Sequence, residues 1–334
     1  YLDPKFKLIF ESIKNLENTY PIDKLIDEVL DNKILICLLK ITPITDIKIE
    51  KLIKYIRKKI LLNLNIVKNR EITFKIMDSI AKHCFINEYL YPIDLEEEEK
   101  LNKIEKQISM NIEKEDHDND LEIACLAAYK PLSFYNCSNK IKINDKIADL
   151  INQQIEEPKK EIIIKNNIAS NIIKNEISLK VMNQYEHHPY PRWTKIALNN
   201  YPTDVVNSFN KIDIKVDEDR IKNWSKINIL VAGCGTGQHA LGTASRFKNS
   251  QVTAIDLSLS SLAYAKRKTE ELGVININYL QADILDLEML DKQFDDDIII
   301  LADDWRLNKN YQLDKKSLES LHDWSHAGRI GNWL

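Results

Sequence analysis

The stretch Ile227-Asn-Ile-Leu-Val-Ala-Gly-Cys-Gly-Thr-Gly237 decides the fold class of this chain. Its first six residues form an apolar run of strand length. The glycines that follow allow a tight turn into a helix expected over 238–248. Backbone N–H groups in such a turn can approach a ligand closely, because no Cβ stands in the way. The stretch therefore predicts a strand, a ligand-binding turn and a helix.

The residues after this turn repeat the alternation of strand and helix. Apolar runs at 252–255, 277–280 and 298–301 predict further strands. A helix opened by Ser258 and closed by Gly273 is expected between the first two of them. Strands that alternate with helices indicate a parallel sheet, so we expect an α/β, Rossmann-like fold in this part of the chain.

Two acids follow the second and third strands. Asp256 lies nineteen residues beyond Gly237, at the end of a strand, where a carboxylate can bind the two ribose hydroxyls of an adenosine ligand. Asp283 follows the third strand and can accept a hydrogen bond from an adenine amino group. Two other interpretations stay open: Asp256 could cap the next helix, and Asp283 could lie at the surface.

The spacing of the glycines separates two kinds of adenosine ligand. Dinucleotide-binding turns have the pattern GxGxxG, and Gln238 occupies the position of the third glycine. The pattern present is GxGxG. A nicotinamide-binding domain is therefore the weaker alternative, and a simple strand-to-helix turn without a ligand is another.

The part of the chain before this turn is predicted to be helical. It contains no glycine in its first 232 residues, which favours helices with short connections. Proline suits a first helical turn, so a helix should begin near Pro21, and Asp46 should cap another whose buried face includes Leu52 and Ile56. Further helices are expected over 70–84, 94–112, 120–130 and 169–186, with an exposed acidic start at 94–99.

Composition excludes several classes of protein. The net charge of −4 argues against a nucleic-acid-binding surface driven by bulk charge. The chain has no apolar run of membrane-spanning length and no secretory signal, and we expect a cytoplasmic protein. Its five cysteines are widely spaced and include no CxxC pair, which predicts reduced thiols and no metal site. The acidic stretch around His117 is interpreted as an exposed loop.

Four segments resemble a known family. Residues 229–238 resemble the first motif of class I S-adenosylmethionine-dependent methyltransferases. Residues 184–193, QYEHHPYPRW, are similar to the QYExxPYPRW signature of a bacterial branch that is often fused to tetratricopeptide repeats. Residues 83–91 and 127–132 resemble the QCFxNEY and ACYxPL segments of that branch. The resemblance spans roughly residues 35–300.

This resemblance implies S-adenosylmethionine as the cofactor and a set of residues that bind it. The glycine loop would wrap the methionine part, Asp256 would bind the ribose and Asp283 the adenine amine. The expected cofactor contacts are Gly233, Cys234, Gly235, Thr236, Gly237, Asp256, Leu257, Ala282 and Asp283. A helix that holds Tyr185, Tyr190, Arg192 and Trp193 would cover the cofactor or the acceptor, or would instead dock the helical region on the sheet.

The chain also departs from that family. Val231 occupies a position where many class I enzymes have an acid, and only four strands are predicted where the family sheet has seven. We therefore expect a truncated or frame-interrupted domain, or a tail that forms an unusual sheet edge. The predicted organisation is a helical domain over 1–135, a linker over 136–168, a helical lead-in over 169–226, a Rossmann-like half domain over 227–302 and a divergent tail over 303–334.

Methyl transfer is an in-line displacement in which the protein mainly aligns the acceptor and excludes water. No catalytic residue can be assigned, and His187, His188, Tyr190 and His239 are weak candidates for a base. The acceptor, a small molecule or a protein, cannot be identified from the sequence. The main hypothesis is a methyltransferase, and the alternative is a non-catalytic docking module with a vestigial methyltransferase domain.

Overall fold

A computed structural model describes residues 21–44, 46–113, 119–204, 207, 227–286 and 298–302 of the chain. The chain divides into two compact units. The helical unit comprises Tyr1–Lys160 and Tyr190–Lys195, and the sheet unit comprises Glu161–Pro189 and Ile196–Leu334. The predicted tail over 303–334, and most of the acidic stretch around His117, lie outside the described residues.

The helical unit confirms the helices predicted before the glycine turn. In its described part it contains α1 (Ile22–Asp31), α2 (Lys33–Ile41), α3 (Ile47–Leu62), α4 (Arg70–Ile86), α5 (Leu95–Glu113), α6 (Asp120–Ala127) and α7 (Ala148–Ile151). The Asp46 carboxylate caps α3 by accepting the N–H groups of Lys48 and Ile49 at 2.8 and 3.1 Å. The predicted face of α3, which includes Leu52 and Ile56, is buried in the core of the unit.

The segment predicted to be a linker, 136–168, instead contains helical structure. After α7 the chain continues through a π-helical turn, Asn152–Glu156, into α8 (Glu157–Lys165). Leu150, Ile151 and Ile155 belong to the core of the helical unit. The prediction was wrong because these apolar residues have helical spacing but are surrounded by Lys and Asn, which dominate the composition of the segment.

The sheet unit has the predicted Rossmann-like arrangement. Its described elements are β1 (Ala169–Ser170), α9 (Glu176–His187), β2 (Ile227–Ala232), α10 (Gln238–Arg246), β3 (Ser250–Asp256), α11 (Leu259–Glu271), β4 (Ile277–Gln281) and β5 (Ile298–Ala302). The strands pair in parallel in the order β1-β4-β3-β2-β5. The strand order reverses between β2 and β5, and ligands of such sheets bind outside the carboxyl ends of the strands at that point.

The start of the predicted helix over 169–186 is a short strand. β1 pairs with β4 at the sheet edge, and α9 begins only at Glu176, where the Asn175 side chain accepts the N–H groups of Ile177 and Ser178. An asparagine cap of this kind ends the extended segment and starts the helix. Among the described residues, the sheet therefore has one more strand than the four predicted.

The central strand β2 is buried on both of its faces. Ile229 and Val231 pack in one apolar cluster with Val252, while Leu230 and Ala232 pack in a second cluster on the other face. A strand buried on both faces reads as a continuous apolar run, which is why β2 could be predicted.

We expect a pH-dependent loss of stability in the helical unit because of His83. This side chain is fully buried, with Nε2 3.1 Å from the Tyr91 hydroxyl, and burial lowers the pKa of His83 from 6.5 to about 4. The unfolded chain therefore binds a proton below about pH 6.5 that the folded chain does not bind until about pH 4. The free energy of unfolding should fall by about 3 kcal/mol across this window.

His83→Gln tests this prediction, because it places the neutral residue of the resembled QCFxNEY segment at the position. Urea unfolding of both proteins should be followed by circular dichroism at several pH values from neutral to about pH 4. The variant should lose less stability than the natural chain on acidification. An equal loss in both proteins would contradict the assignment to His83.

Candidate functional site

The glycine loop between β2 and α10 has a backbone that requires glycine. Gly233, Gly235 and Gly237 have φ values of +73°, +51° and +89°, in the left-handed region. The N–H groups of Gly233 and Cys234 both donate to the Ile255 carbonyl at 2.9 Å. The loop is therefore fixed to the end of β3 by backbone hydrogen bonds.

Gly237 also allows a close approach between the loop and α11. A Cβ at this position would lie 2.6 Å from the Ala265 Cβ and 3.2 Å from the Tyr279 hydroxyl. The two other loop glycines have open space at the Cβ position. Gly237 is thus needed for packing against Ala265 and Tyr279, while there is open space beside the backbone at Gly233 and Gly235.

Asp256 connects the glycine loop to the end of β3. Its Oδ2 accepts the Gly235 N–H at 2.8 Å, and its Oδ1 accepts the Ser258 N–H at 2.9 Å. Burial raises the pKa of Asp256, although these two hydrogen bonds act in the opposite direction. Each carboxylate oxygen has a second lone pair, so Asp256 can still accept hydrogen bonds from two hydroxyl groups.

The N-cap of α11 is Ser258, not Asp256. The Ser258 hydroxyl accepts the Ser261 N–H at 3.1 Å, as a capping side chain does. The alternative that Asp256 merely caps this helix is therefore wrong.

Asp283 is buried rather than at the surface, with only 3% of its area exposed. Its Oδ1 accepts the Leu285 N–H at 2.9 Å, and its buried Oδ2 has no hydrogen-bond partner among the residues that the structure describes. A buried acceptor of this kind costs free energy unless a donor reaches it. An exocyclic amino group is a donor that would fit.

The remaining predicted contacts line the same end of the sheet. Cys234, Thr236 and Ala282 are buried, and the Ala282 N–H donates to the Asp256 carbonyl at 3.1 Å. The Leu257 carbonyl accepts the Gln281 side-chain amide at 2.8 Å. Val231 is buried in the apolar core beside β3, so this position offers no acidic ligand for a cofactor.

Sequence reasoning did not single out Glu186, which lies beside Asp256. Its Oε2 accepts the Ser258 hydroxyl at 3.0 Å and the Ser260 N–H at 3.1 Å, and its other oxygen pairs with Lys165. The carboxylate thus holds the turn that presents Asp256. The sequence feature that could have identified Glu186 is its place as the third residue of the QYExxPYPRW signature.

The four predicted lid residues divide between the two units. Tyr185 lies on α9 in the sheet unit, and its carbonyl accepts the Ser258 hydroxyl at 3.1 Å. Tyr190, Arg192 and Trp193 belong to the helical unit, where Trp193 is buried and Arg192 pairs with Glu88. The predicted helix through Trp193 ends at His187, so the four residues do not share one helix face.

None of the candidate bases can be given a catalytic role. His187 and His188 are exposed at the end of α9, and the His187 ring is 2.8 Å from the Asn183 carbonyl. Tyr190 lies in the helical unit, and His239 lies in the first turn of α10.

No group of acidic, histidine and cysteine side chains among the described residues could hold a metal ion. No helix in the same part of the chain is long and apolar enough to span a membrane.

Residues 229–312 match the protein family described as a methyltransferase domain. The chain is 32% identical over 113 residues to (S)-coclaurine N-methyltransferase of Papaver somniferum, covering 34% of this chain and 30% of that protein. It is 31% identical over 97 residues to the enzyme of the same name from Thalictrum flavum subsp. glaucum, covering 29% and 25%. The match thus spans under a third of these relatives.

A solved structure of coclaurine N-methyltransferase bound to N-methylheliamine and SAH aligns with 64% of this chain and 50% of its own, at 17% identity and a TM-score of 0.18. The parallel strand order of the described sheet is Rossmann-like, and residues 229–312 are similar to a methyltransferase domain.

Proposed function

We propose that this protein is an S-adenosylmethionine-dependent methyltransferase that acts on an acceptor still to be identified. One observation carries the proposal. The Asp256 and Asp283 carboxylates follow the adjacent parallel strands β3 and β4. The Gly235 N–H of the glycine loop donates a hydrogen bond to the Asp256 carboxylate. Parallel strands place such groups together at the carboxyl end of the sheet.

Each predicted cofactor contact has a proposed role. The loop of Gly233, Cys234, Gly235, Thr236 and Gly237 would hold the methionine part through backbone N–H groups. Asp256 would accept hydrogen bonds from the ribose hydroxyls. Asp283 would accept one from the adenine amine, which gives its buried Oδ2 a donor. Leu257 and Ala282 would supply apolar surface to the adenine ring.

When bound, S-adenosylmethionine supplies an electrophilic methyl group on a sulfonium. The residues of this chain would orient that group and exclude water from it. An amine that reacts in its neutral form needs no base in the transition state. The names of the two plant relatives make an amine nitrogen the first acceptor class to test. Tyr185 on α9, beside the turn after Asp256, remains our proposed lid residue.

Binding of S-adenosylmethionine should depend on Asp256. We expect Asp256→Ala to weaken binding by about 30-fold, because the ribose hydroxyls lose a charged acceptor worth roughly 2 kcal/mol. Isothermal titration calorimetry measures the change. Glu270→Ala, which removes an exposed acid on α11, is the matched control and should bind normally.

Two results would count against the proposal. If S-adenosylmethionine does not bind, or binds to Asp256→Ala as well as to the natural chain, the cofactor assignment is wrong. Such a result would favour the alternative of a non-catalytic docking module. Tighter binding of NADH than of S-adenosylmethionine would favour a nicotinamide-binding domain instead.

A further inference from the structure

Three segments that the proposed function does not use meet within the helical unit. They are the residues that resemble QCFxNEY, ACYxPL and PYPRW. The Arg192 guanidinium pairs with Glu88 and lies 4.6 Å from the Phe85 ring centre, and the Tyr89 hydroxyl donates to the Ala127 carbonyl at 3.2 Å. These long-range contacts hold the turn after α4 in one conformation.

A cavity of about 270 Å³ lies beside this turn, and its walls all belong to the helical unit. Its polar lining residues are Glu50, Lys51 and Lys54 on α3, together with Asn87. Leu90 and Tyr190 are among its apolar and aromatic walls. The volume suits a small molecule, because pockets for larger ligands start at roughly 300 Å³.

The Asn87 side chain lines the cavity, and its Oδ1 is an unused hydrogen-bonding group buried behind the cavity surface. The residue is only 6% exposed, and its side chain bonds the Tyr91 hydroxyl. Its buried Oδ1 has no partner in the part of the chain that the structure describes. Leaving a buried amide oxygen unpaired costs about 1–3 kcal/mol. A donor on a ligand would recover this cost by drawing the amide round so that the oxygen faces the cavity.

The charged lining groups are also unpaired. Glu50, Lys51 and Lys54 form no ion pair with any described residue, whereas Lys58 on the same helix pairs with Asp94 and Glu96 at 2.6 and 3.3 Å. Residues three or four positions apart lie on the same side of a helix, so Lys51 and Lys54 present two cations together. The cavity thus combines an acidic group, two basic groups, an amide acceptor and apolar walls.

We propose that this cavity binds a zwitterionic amino acid with an apolar side chain. The ligand's ammonium group would donate to the Glu50 carboxylate and the Asn87 Oδ1. Its carboxylate would lie against Lys51 and Lys54, and its side chain against Leu90 and Tyr190. Each group on the cavity wall then has a partner of the opposite kind. The proposal does not depend on methyl transfer, because no residue of the sheet unit takes part.

The test is a calorimetric titration of the full chain with L-phenylalanine and with L-leucine. Two further probes each lack one charge: N-acetyl-L-phenylalanine has no ammonium group, and L-phenylalanine amide has no carboxylate. We expect the free amino acids to bind and both derivatives to bind at least about 10-fold more weakly, since each loses a charge-assisted contact. If none of the probes binds at millimolar concentration, or if the derivatives bind as well as L-phenylalanine, the proposal is wrong.

Substitutions at the cavity wall test whether L-phenylalanine binds in this cavity. Glu50→Gln and Asn87→Leu should each weaken L-phenylalanine binding by about 10-fold, and Lys58→Gln, on the same helix but already paired, should not. Asn87→Leu is expected to fold, because the oxygen that it removes has no partner among the described residues and the Tyr91 hydroxyl keeps its contact with His83. Thermal unfolding checks this. Equal binding by folded Asn87→Leu and the natural chain would overturn the proposal.

Discussion

Gly237→Ala is expected to destabilise the sheet unit by about 3–5 kcal/mol and to abolish measurable binding of S-adenosylmethionine. Two independent effects contribute to this loss of stability. An alanine at a φ of +89° is strained by about 1–2 kcal/mol. Its Cβ would also stand 2.6 Å from the Ala265 Cβ, which forces the start of α10 and the middle of α11 apart. Because the same backbone forms the cofactor loop, the proposed site would distort with the packing.

Gly242→Ala is the matched control for this substitution. Gly242 lies within α10, and a Cβ there meets nothing within 4 Å. Alanine should therefore stabilise the helix by about 0.5–1 kcal/mol through its better helix propensity. Both variants are compared by urea unfolding and by calorimetric titration with S-adenosylmethionine.

A second substitution separates the two effects at Gly237. Adding Ala265→Gly to Gly237→Ala removes the nearest clashing atom, so part of the lost stability should return. The cost of the left-handed backbone should remain. If Gly237→Ala alone unfolds and binds like the natural chain, the packing argument for this glycine fails.

The arrangement of the sheet unit could be predicted because its signals are local. β2 is apolar except at Asn228 and is followed by glycines, and α11 is bounded by Ser258 and Gly273. The places of Asp256 and Asp283 followed from topology, because adjacent parallel strands end at the same edge. β1 could not be predicted: two residues at a sheet edge carry no periodic pattern, and their pairing depends on β4.

Features that depend on distant contacts were missed. Glu186 belongs to a recognisable signature, but only the fold shows that it holds the turn after Asp256. The Oδ1 of Asn87 and the Oδ2 of Asp283 have no partner among the described residues, and this too is a property of packing and not of residue type. Glu97 lies in the acidic stretch predicted to be exposed, yet its side chain is fully buried. An acid with a buried cationic neighbour cannot be told from a solvated one by sequence.

The buried cationic neighbour of Glu97 is Arg57. We expect Arg57→Met to destabilise the helical unit by about 3–5 kcal/mol. The guanidinium is fully buried, donates to the carbonyls of Ala128 and Pro92 at 3.2 Å, and lies 3.9 Å from the centre of the Tyr129 ring. Arg57 is also 3.9 Å from Glu97, whose oxygen accepts the Tyr129 hydroxyl at 2.7 Å. Methionine keeps much of the volume but leaves the Glu97 charge without its cation.

The energetic role of Arg57 is therefore coupled to that of Glu97, and a double-mutant cycle measures the coupling. Arg57→Met/Glu97→Gln should be more stable than Arg57→Met alone, because the neutral amide removes the uncompensated charge and can still accept the Tyr129 hydroxyl. Lys58→Gln, which breaks an exposed pair one residue away, should cost less than about 1 kcal/mol. Urea unfolding of the natural chain, Arg57→Met, Glu97→Gln, the double variant and Lys58→Gln gives these free energies. Strict additivity of the two buried substitutions would mean that the carbonyl and ring contacts of Arg57, rather than its charge, stabilise this core.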